Sequence, residues 1–445
     1  MSKNSKTSAQ KKPSVYIHTF GCQMNVNDSE RIAGILAAEG AQPSNTIEDS
    51  DIIIVNTCAV REKSVDKLHS FLGRLNSLKK RKKIKIWVAG CVAQLYRSEL
   101  LERNPCIDVI IGPDNYWKIP EIFSNQEKEK IISTTWSRKW HEIPHVLTLR
   151  NSRTSAYVTI MEGCNNFCSY CVVPFTRGRE KFKPMQNILM ETKDLAKKGY
   201  KEIQLLGQNV NSYNDPMTGK RFSDLLKEVN KIDGIEWIRF ISSHPKDFTI
   251  DIARMMKKSK KVCNQLHLPL QSGSSTVLKS MKRGYTREEY LKKISILRDL
   301  MPDISLSTDI IVGFPGETEK DFCETLSILR EVRFTNIFSF RYSPRPLASS
   351  ALTKDSIPFI EKKRRLTELQ NLQKEIQLNT NKSLIGRVMR VLCLGRSKKD
   401  PEIYSGRNEG YQVINFQSKN NVSGKFVNVK ITGCGPHSLI GTVIP

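Results

Sequence analysis

The stretch that most constrains this chain runs from Gly163 to Glu180, GCNNFCSYCVVPFTRGRE. Cys164, Cys168 and Cys171 stand there at C-x3-C-x2-C, just after an apolar run, Ala156 to Met161, that reads as a strand. A loop this short carrying three thiolates can wrap one corner of an iron–sulfur cube. Three ligands cannot saturate four irons, so one iron stays open to a substrate or cofactor. Zinc also takes soft thiolates, but a structural zinc closes a four-ligand shell, commonly from paired C-x2-C or Cys/His sets. No partner pair or nearby His completes such a set here.

A second trio of cysteines is dispersed in sequence. From Val15 to about Phe123, short apolar runs (15–20, 51–56, 84–90 and 107–112) alternate with helical spacing, which predicts a parallel sheet with right-handed crossovers. Cys22, Cys58 and Cys91 each directly follow one of these runs. Strand carboxyl ends in a parallel sheet emerge along one edge, where such folds bind ligands. Topology rather than local spacing is therefore expected to gather a second incomplete ligand set. The competing reading is three buried structural cysteines. Cys106, Cys263, Cys323, Cys393 and Cys434 fit neither pattern and read as ordinary core or loop residues.

Residues 124–150 lose this rhythm and read as a surface linker. Six further strand–helix units follow, with strands at 155–161, 202–207, 237–242, 265–270, 305–313 and 336–343. Six consecutive units favour a curved parallel sheet, an open partial barrel with its working groups at the strand carboxyl ends. The texture changes near Ser383 to short alternating strands with Gly turns, which predicts a small OB-like β-barrel. Tyr404, Tyr411, Phe416 and Phe426 alternate there with basic residues, a pattern suited to stacking RNA bases. A stability domain with core aromatics is the plainer alternative.

The chain carries a formal charge of +26, which favours a polyanionic partner. No apolar run is long enough to span a membrane, and no lipidation motif stands out. Eleven cysteines without a secretory signal point to a reducing compartment, hence the cytoplasm. The expected organisation is a basic disordered tail over 1–12, an N-terminal parallel α/β domain over 13–123, the linker over 124–150, the core over 151–382 and the β-barrel over 383–445.

The C-x3-C-x-aromatic-C pattern, with Tyr170 as the aromatic residue, resembles the signature of radical S-adenosylmethionine (SAM) enzymes. The longer strings CNNFCSYCVVPFTRGRE, HTFGCQMNVNDSE, NTCAVREK and AGCVAQ resemble the tRNA methylthiotransferases that modify isopentenyl-adenosine. DIIVGFPGE (309–317) is similar to that family's fifth-strand motif, whereas Leu347-Ala348-Ser349 departs from the Gly-Thr-Pro run expected there. The resemblance implies a (β/α)6 partial-barrel core and a C-terminal TRAM domain that binds RNA. It implies two [4Fe–4S] clusters, one on Cys164, Cys168 and Cys171 beside SAM, the other on Cys22, Cys58 and Cys91 holding the sulfur to be transferred.

It further implies Tyr170, Gly207, Gln208, Asn209, Ser243 and Gln271 as cofactor-binding residues, and Arg177, Arg179, Arg407 and Asn408 as candidate RNA contacts. The implied reaction replaces the C2 hydrogen of isopentenylated adenosine beside the tRNA anticodon with a methylthio group. A reductant or electron-donor protein and a sulfur source are the further partners. His244 is a candidate general base, although a His before Pro245 more often serves as a loop hydrogen-bonder. Rival readings are a sibling acting on threonylcarbamoyl-adenosine, a ribosomal-protein methylthiotransferase, and a non-catalytic metal-stabilised RNA-binding protein.

Overall fold

The computed structural model describes residues 12–60, 62–125 and 130–444, and the chain divides into two compact units. The first takes the chain to Asn151 together with Phe175–Gly178; the second comprises Ser152–Pro174 and Arg179–Pro445. Apart from Lys12, the basic tail expected over 1–12 lies outside the described residues.

The first unit is built on a six-stranded parallel sheet. Its order is Gln42–Pro43, Ser14–Phe20, Ile52–Thr57, Lys85–Ala89, Val109–Ile111 and Ile131–Ser133. The strand Ile52–Thr57 is buried along its whole length, as its run of β-branched residues demands of a strand covered on both faces. Helices Gln23–Ala38, Glu62–Lys79 and Cys91–Arg103 supply the crossovers.

The structure corrects the linker expected over 124–150. Ile131–Ser133 pairs in parallel with Val109–Ile111 as the sixth strand, and the Leu149 N–H donates to the Glu30 carbonyl at 3.1 Å. A strand of three residues is too short to declare a period, so periodicity passes over it.

In the second unit, six parallel strands lie in two sheets of three. Ser155–Thr159, Glu202–Leu206 and Trp237–Phe240 form one; Gln265–His267, Ser305–Val312 and Asn336–Arg341 form the other. A lone parallel bridge between Ile238 and Val262 joins the third strand to the lead-in of the fourth. The expected six-unit parallel core is therefore present. Alternation sorts its side chains: Leu306, Ile310 and Val312 enter the core with the surrounding helices, leaving Ser305, Ser307, Asp309 and Ile311 on the concave face. The long helix Phe359–Lys382 covers the outer side of the last strand, where Gln370 Nε2 donates to Ser339 Oγ at 3.2 Å.

The C-terminal module closes as a five-stranded barrel of Val388–Arg396, Tyr404–Arg407, Val413–Gln417, Leu439–Ile444 and Phe426–Cys434. Arg239, on the third core strand, fixes its seat. Its guanidinium donates to Glu202 at 2.6 Å and to the carbonyls of Asn408 and Glu409, each at 2.7 Å. Ser305 Oγ donates to the Gly410 carbonyl at 2.8 Å, so the 407–411 loop is held against the amino ends of the core strands.

The aromatic residues expected to stack RNA bases are spent on structure. Tyr404 and Phe416 are buried in the barrel core. Tyr411 lies between the guanidinium groups of Arg239 and Arg407, at 5.0 and 4.0 Å. Phe426 meets Trp237 edge-on at 4.7 Å. Alternation of aromatic and basic residues cannot say which strand face is the core face; closure of the barrel decides it.

Arg239→Met should leave Glu202 without its buried cation, the buried Asn408 carbonyl unpaired and the partly exposed Glu409 carbonyl to solvent. A loss of about 3–5 kcal/mol is expected in chemical denaturation, with proteolytic release of the C-terminal barrel as the local readout.

Candidate functional site

Within the first unit, Cys22, Cys58 and Cys91 stand at the carboxyl ends of three adjacent strands. Cys22 immediately precedes the helix Gln23–Ala38, and Cys91 is the first residue of Cys91–Arg103. Both positions lie at a helix N-terminus, the positive end of the helix dipole. Cys22 and Cys58 share a hydrogen bond that pulls the Cys22 thiol down and pushes the Cys58 thiol up, burial adding to the latter. Cys91 is near enough to act electrostatically on Cys58. Cys22 Sγ also donates to Asn25 Oδ1 at 3.4 Å. Gly90 sits at φ 91°, and a Cβ there would fall 2.3 Å from Asn56 Oδ1 and 2.7 Å from the Thr57 carbonyl. Only glycine lets the Cys91 turn approach the Cys58 strand end this closely.

Arg177 belongs to this unit and is buried. Its Nη2 donates to Asp28 Oδ2 at 2.5 Å, and the guanidinium is close enough to Cys22 and Cys91 to act on both. Buried and paired, Arg177 is not presented to an RNA backbone, which corrects that expectation.

In the second unit, Cys164, Cys168 and Cys171 line the loop after the first core strand. Burial pushes the Cys164 thiol up to about 11 and the Cys171 thiol up to about 12, with neighbouring thiols of the loop adding to both. Cationic metal is the partner that would reverse this. Arg283 Nη1 lies 3.3 Å from both Cys168 Sγ and Tyr170 Oη, and its Nη2 donates to the Pro269 carbonyl at 2.7 Å. Arg283 was missed by sequence reasoning; a basic residue in a Lys-Arg-Gly run gives no hint that it will be buried.

The other expected positions fall at neighbouring strand ends. Gln208 Oε1 accepts the Gly163 N–H at 2.5 Å, tying the second strand end to the cluster loop. Gly207 lies against Met161. Asn209 Nδ2 donates to Asp247 at 2.7 Å. Asn209 Oδ1, both polar atoms of the Asn211 amide and Ser243 Oγ are buried without hydrogen-bond partners, an arrangement rarely tolerated except where a ligand is to be met.

Phe167, Ser242 and Gln271 adopt φ of 47°, 68° and 78°. Non-glycine residues in this left-handed region mark strained, site-forming turns. Asn211 ends the Gly207–Asn211 stretch that follows the second strand in the sequence, but nothing in an Asn codes for an unsatisfied amide.

His244 does not suit a general base. Burial, helped by Arg283 and Lys246, lowers its pKa to about 2. Its Nδ1 accepts the Lys246 N–H at 3.2 Å, and Nε2 faces Cys168 Sγ at 3.9 Å. Arg179 is exposed and lies 4.1 Å over the Phe167 ring. Arg407 donates to the Tyr411 carbonyl at 3.1 Å. Asn408 is buried, its amide on Gln412 and Met389, so its expected RNA contact is corrected to a docking role. Where Leu347-Ala348-Ser349 departs from the family pattern, the turn is made with Leu347 at φ 66°.

All eleven cysteines are free thiols. Among the described residues no three His, Cys, Asp or Glu side chains stand ready to hold a metal ion. A four-iron cube spreads its ligands wider than one ion does, so two trios of neighbouring soft thiols fit clusters better than single ions. The unpaired polar atoms around the second trio likewise suit a polar amino-acid and nucleoside ligand such as SAM. Among the described residues no helix is long and apolar enough to cross a membrane.

The fold and these thiols define a radical SAM enzyme: the model of the Radical SAM superfamily matches residues 158–329. Uncharacterized protein family UPF0004 matches residues 14–112, and the TRAM domain matches 382–444. A tRNA-2-methylthio-N(6)-dimethylallyladenosine synthase of Thermodesulfovibrio yellowstonii is 46% identical over 437 residues, covering 97% of this chain and 98% of the relative. One of Acetivibrio thermocellus is 43% identical over 441 residues, covering 98% and 92%. The chain belongs to the family of tRNA-2-methylthio-N(6)-dimethylallyladenosine synthases. In fold it also resembles a radical SAM methyltransferase from Kitasatospora setae, with a TM-score of 0.57 at 12% identity over 77% of this chain and 75% of that one. Membership of the radical SAM superfamily carries with it a [4Fe–4S] cluster and SAM.

Proposed function

We propose that this enzyme transfers a methylthio group to C2 of isopentenylated adenosine in tRNA, using two [4Fe–4S] clusters. The observation that carries the reading is the pair of three-thiol groups, each at strand carboxyl ends and each one ligand short of a filled cube. Cys164, Cys168 and Cys171 would hold the SAM-cleaving cluster; Cys22, Cys58 and Cys91 would hold the cluster that carries sulfur. When bound, SAM and the clusters supply one-electron chemistry, which an aryl C–H with no useful acid–base route at neutral pH requires.

The protein's own residues bind and orient. Gln208 holds the cluster loop in register through the Gly163 N–H. Asn209, Asn211 and Ser243 offer unpaired polar atoms to the nucleoside ligand, with Gly207 and Gln271 shaping the adjoining turns. Tyr170, within the cluster loop, packs against the apolar cluster of Val277, Met281, Phe314 and Tyr342, and Arg283 places positive charge next to Cys168. Such fixed positioning replaces reorganisation that solvent would otherwise impose.

The chain's +26 charge supports tRNA as the macromolecular substrate, with the basic surface of the C-terminal barrel and exposed Arg179 as contacts. Reduced thiols and a tRNA substrate are consistent with a cytoplasmic enzyme that draws on an electron donor and a sulfur source.

The test is incubation of anaerobically reconstituted protein with SAM, dithionite, sulfide and isopentenylated tRNA, followed by nucleoside mass analysis. The methylthio nucleoside is expected. Product only on threonylcarbamoyl-adenosine tRNA, or none with either RNA, would overturn the assignment.

A further inference from the structure

The concave face of the second core sheet carries an apolar surface made by none of the residues assigned above to the clusters and SAM. Strand Asn336–Arg341 runs parallel to Ser305–Val312, with Phe338 opposite Asp309 and Phe340 opposite Ile311. Its outer side is covered: Ile337 packs against the main core, and Ser339 is met by Gln370 of the long helix. Phe338 and Phe340 therefore project to the concave side, where they remain 44% and 37% exposed. Two adjacent phenylalanines left open on an inner face cost hydration free energy that a buried partner would recover.

Their surroundings limit that partner. His267 meets the Phe338 ring at 5.8 Å, nearly perpendicular, and lies 3.4 Å from Asp309 Oδ2. His267 Nδ1 also stands 3.0 Å from Ser307 Oγ. The patch is thus apolar and aromatic at the last strand, with a carboxylate and hydrogen-bonding groups one strand away. An adenine ring bearing a five-carbon alkenyl group matches it: rings and alkenyl carbons can pack on the phenylalanines, and base nitrogens can face the polar edge. A carbamoyl group ending in a carboxylate would meet Asp309 with like charge.

We propose that Phe338 and Phe340 form the subsite for the N6-isopentenyl group of the substrate adenosine, with Asp309 disfavouring anionic N6 substituents. The subsite rests on the substrate reading above. It lies on the concave side of the partial barrel that also carries Cys164, Cys168 and Cys171, so a base seated there is within the same core. Selection by apolar contact is worth roughly one to two decades per group removed, enough to separate isopentenylated from unmodified RNA.

The test compares the reconstituted full-length enzyme with Phe338→Ala/Phe340→Ala and with Phe338→Leu/Phe340→Leu. Anisotropy measures affinity for an anticodon stem-loop carrying isopentenyl-adenosine, the same RNA with plain adenosine, and one with threonylcarbamoyl-adenosine. Thermal unfolding checks that each variant is folded. The alanine pair should lose at least about tenfold of the preference for isopentenylated over plain RNA, and the leucine pair, still apolar, should keep most of it. Asp309→Asn should raise relative affinity for the threonylcarbamoyl RNA severalfold. Preference that survives in a folded alanine pair would overturn the subsite. Absence of any preference in the wild-type enzyme would instead overturn the substrate reading on which the subsite rests.

Discussion

Cys168→Ala should yield a protein that binds about half the wild-type iron and no longer cleaves SAM, whereas Cys58→Ala should also lose about half the iron but still cleave SAM without adding sulfur to tRNA. The asymmetry follows from the division of thiols between two strand-end groups. Removing Cys168 takes away the thiol that Arg283 and His244 face, leaving a loop with two half-buried thiols whose partial desolvation already pushes them up. Removing Cys58 takes away the member through which Cys22 and Cys91 are electrostatically linked. Iron and acid-labile sulfide per chain, 5′-deoxyadenosine release and methylthio nucleoside are the three measurements. Equal loss of SAM cleavage in both variants would sink the proposed division of labour.

Arg177→Met should destabilise the first unit by about 3–5 kcal/mol, because it takes a buried cation away from the buried Asp28 carboxylate. Both members are almost wholly shielded from water, at 3% and 0% side-chain exposure, so solvent cannot take over the role of the lost partner. Arg177→Met/Asp28→Leu, which removes both charges, should recover most of the loss, since a buried pair repays little beyond its own desolvation. Denaturant unfolding of the two singles and the double gives the coupling directly. If Arg177 also neutralises the nearby cysteines, the double variant should regain stability yet hold less iron than the wild type. Destabilisation below about 1 kcal/mol for Arg177→Met would mean that Asp28 is satisfied without it.

The fold was legible wherever a pattern had enough length. The eight-residue strand Ser305–Val312 alternates buried and half-buried residues as its sequence does, and Cys164, Cys168 and Cys171 announce their loop by spacing alone. Ile131–Ser133 did not register, because three residues cannot display a period. The C-terminal aromatics were legible as aromatic but not as core. Tyr404 and Phe416 take the inside of a closed barrel, and Tyr411 and Phe426 are claimed by Arg239 and Trp237, partners well over a hundred residues away.

The sequence by itself determined the chemistry available: soft thiols in two trios, strands to carry them, and a basic chain for a polyanion. Those properties reside in residue types and in periods of two or three to four residues, which survive without knowing where distant segments go. Only the tertiary structure decided that Arg177 and Asn408 are buried structural groups, that Arg283 stands beside Cys168, and that Phe338 and Phe340 open onto a concave face. Burial and pairing are properties of the space between segments far apart in the chain, and no local pattern records them.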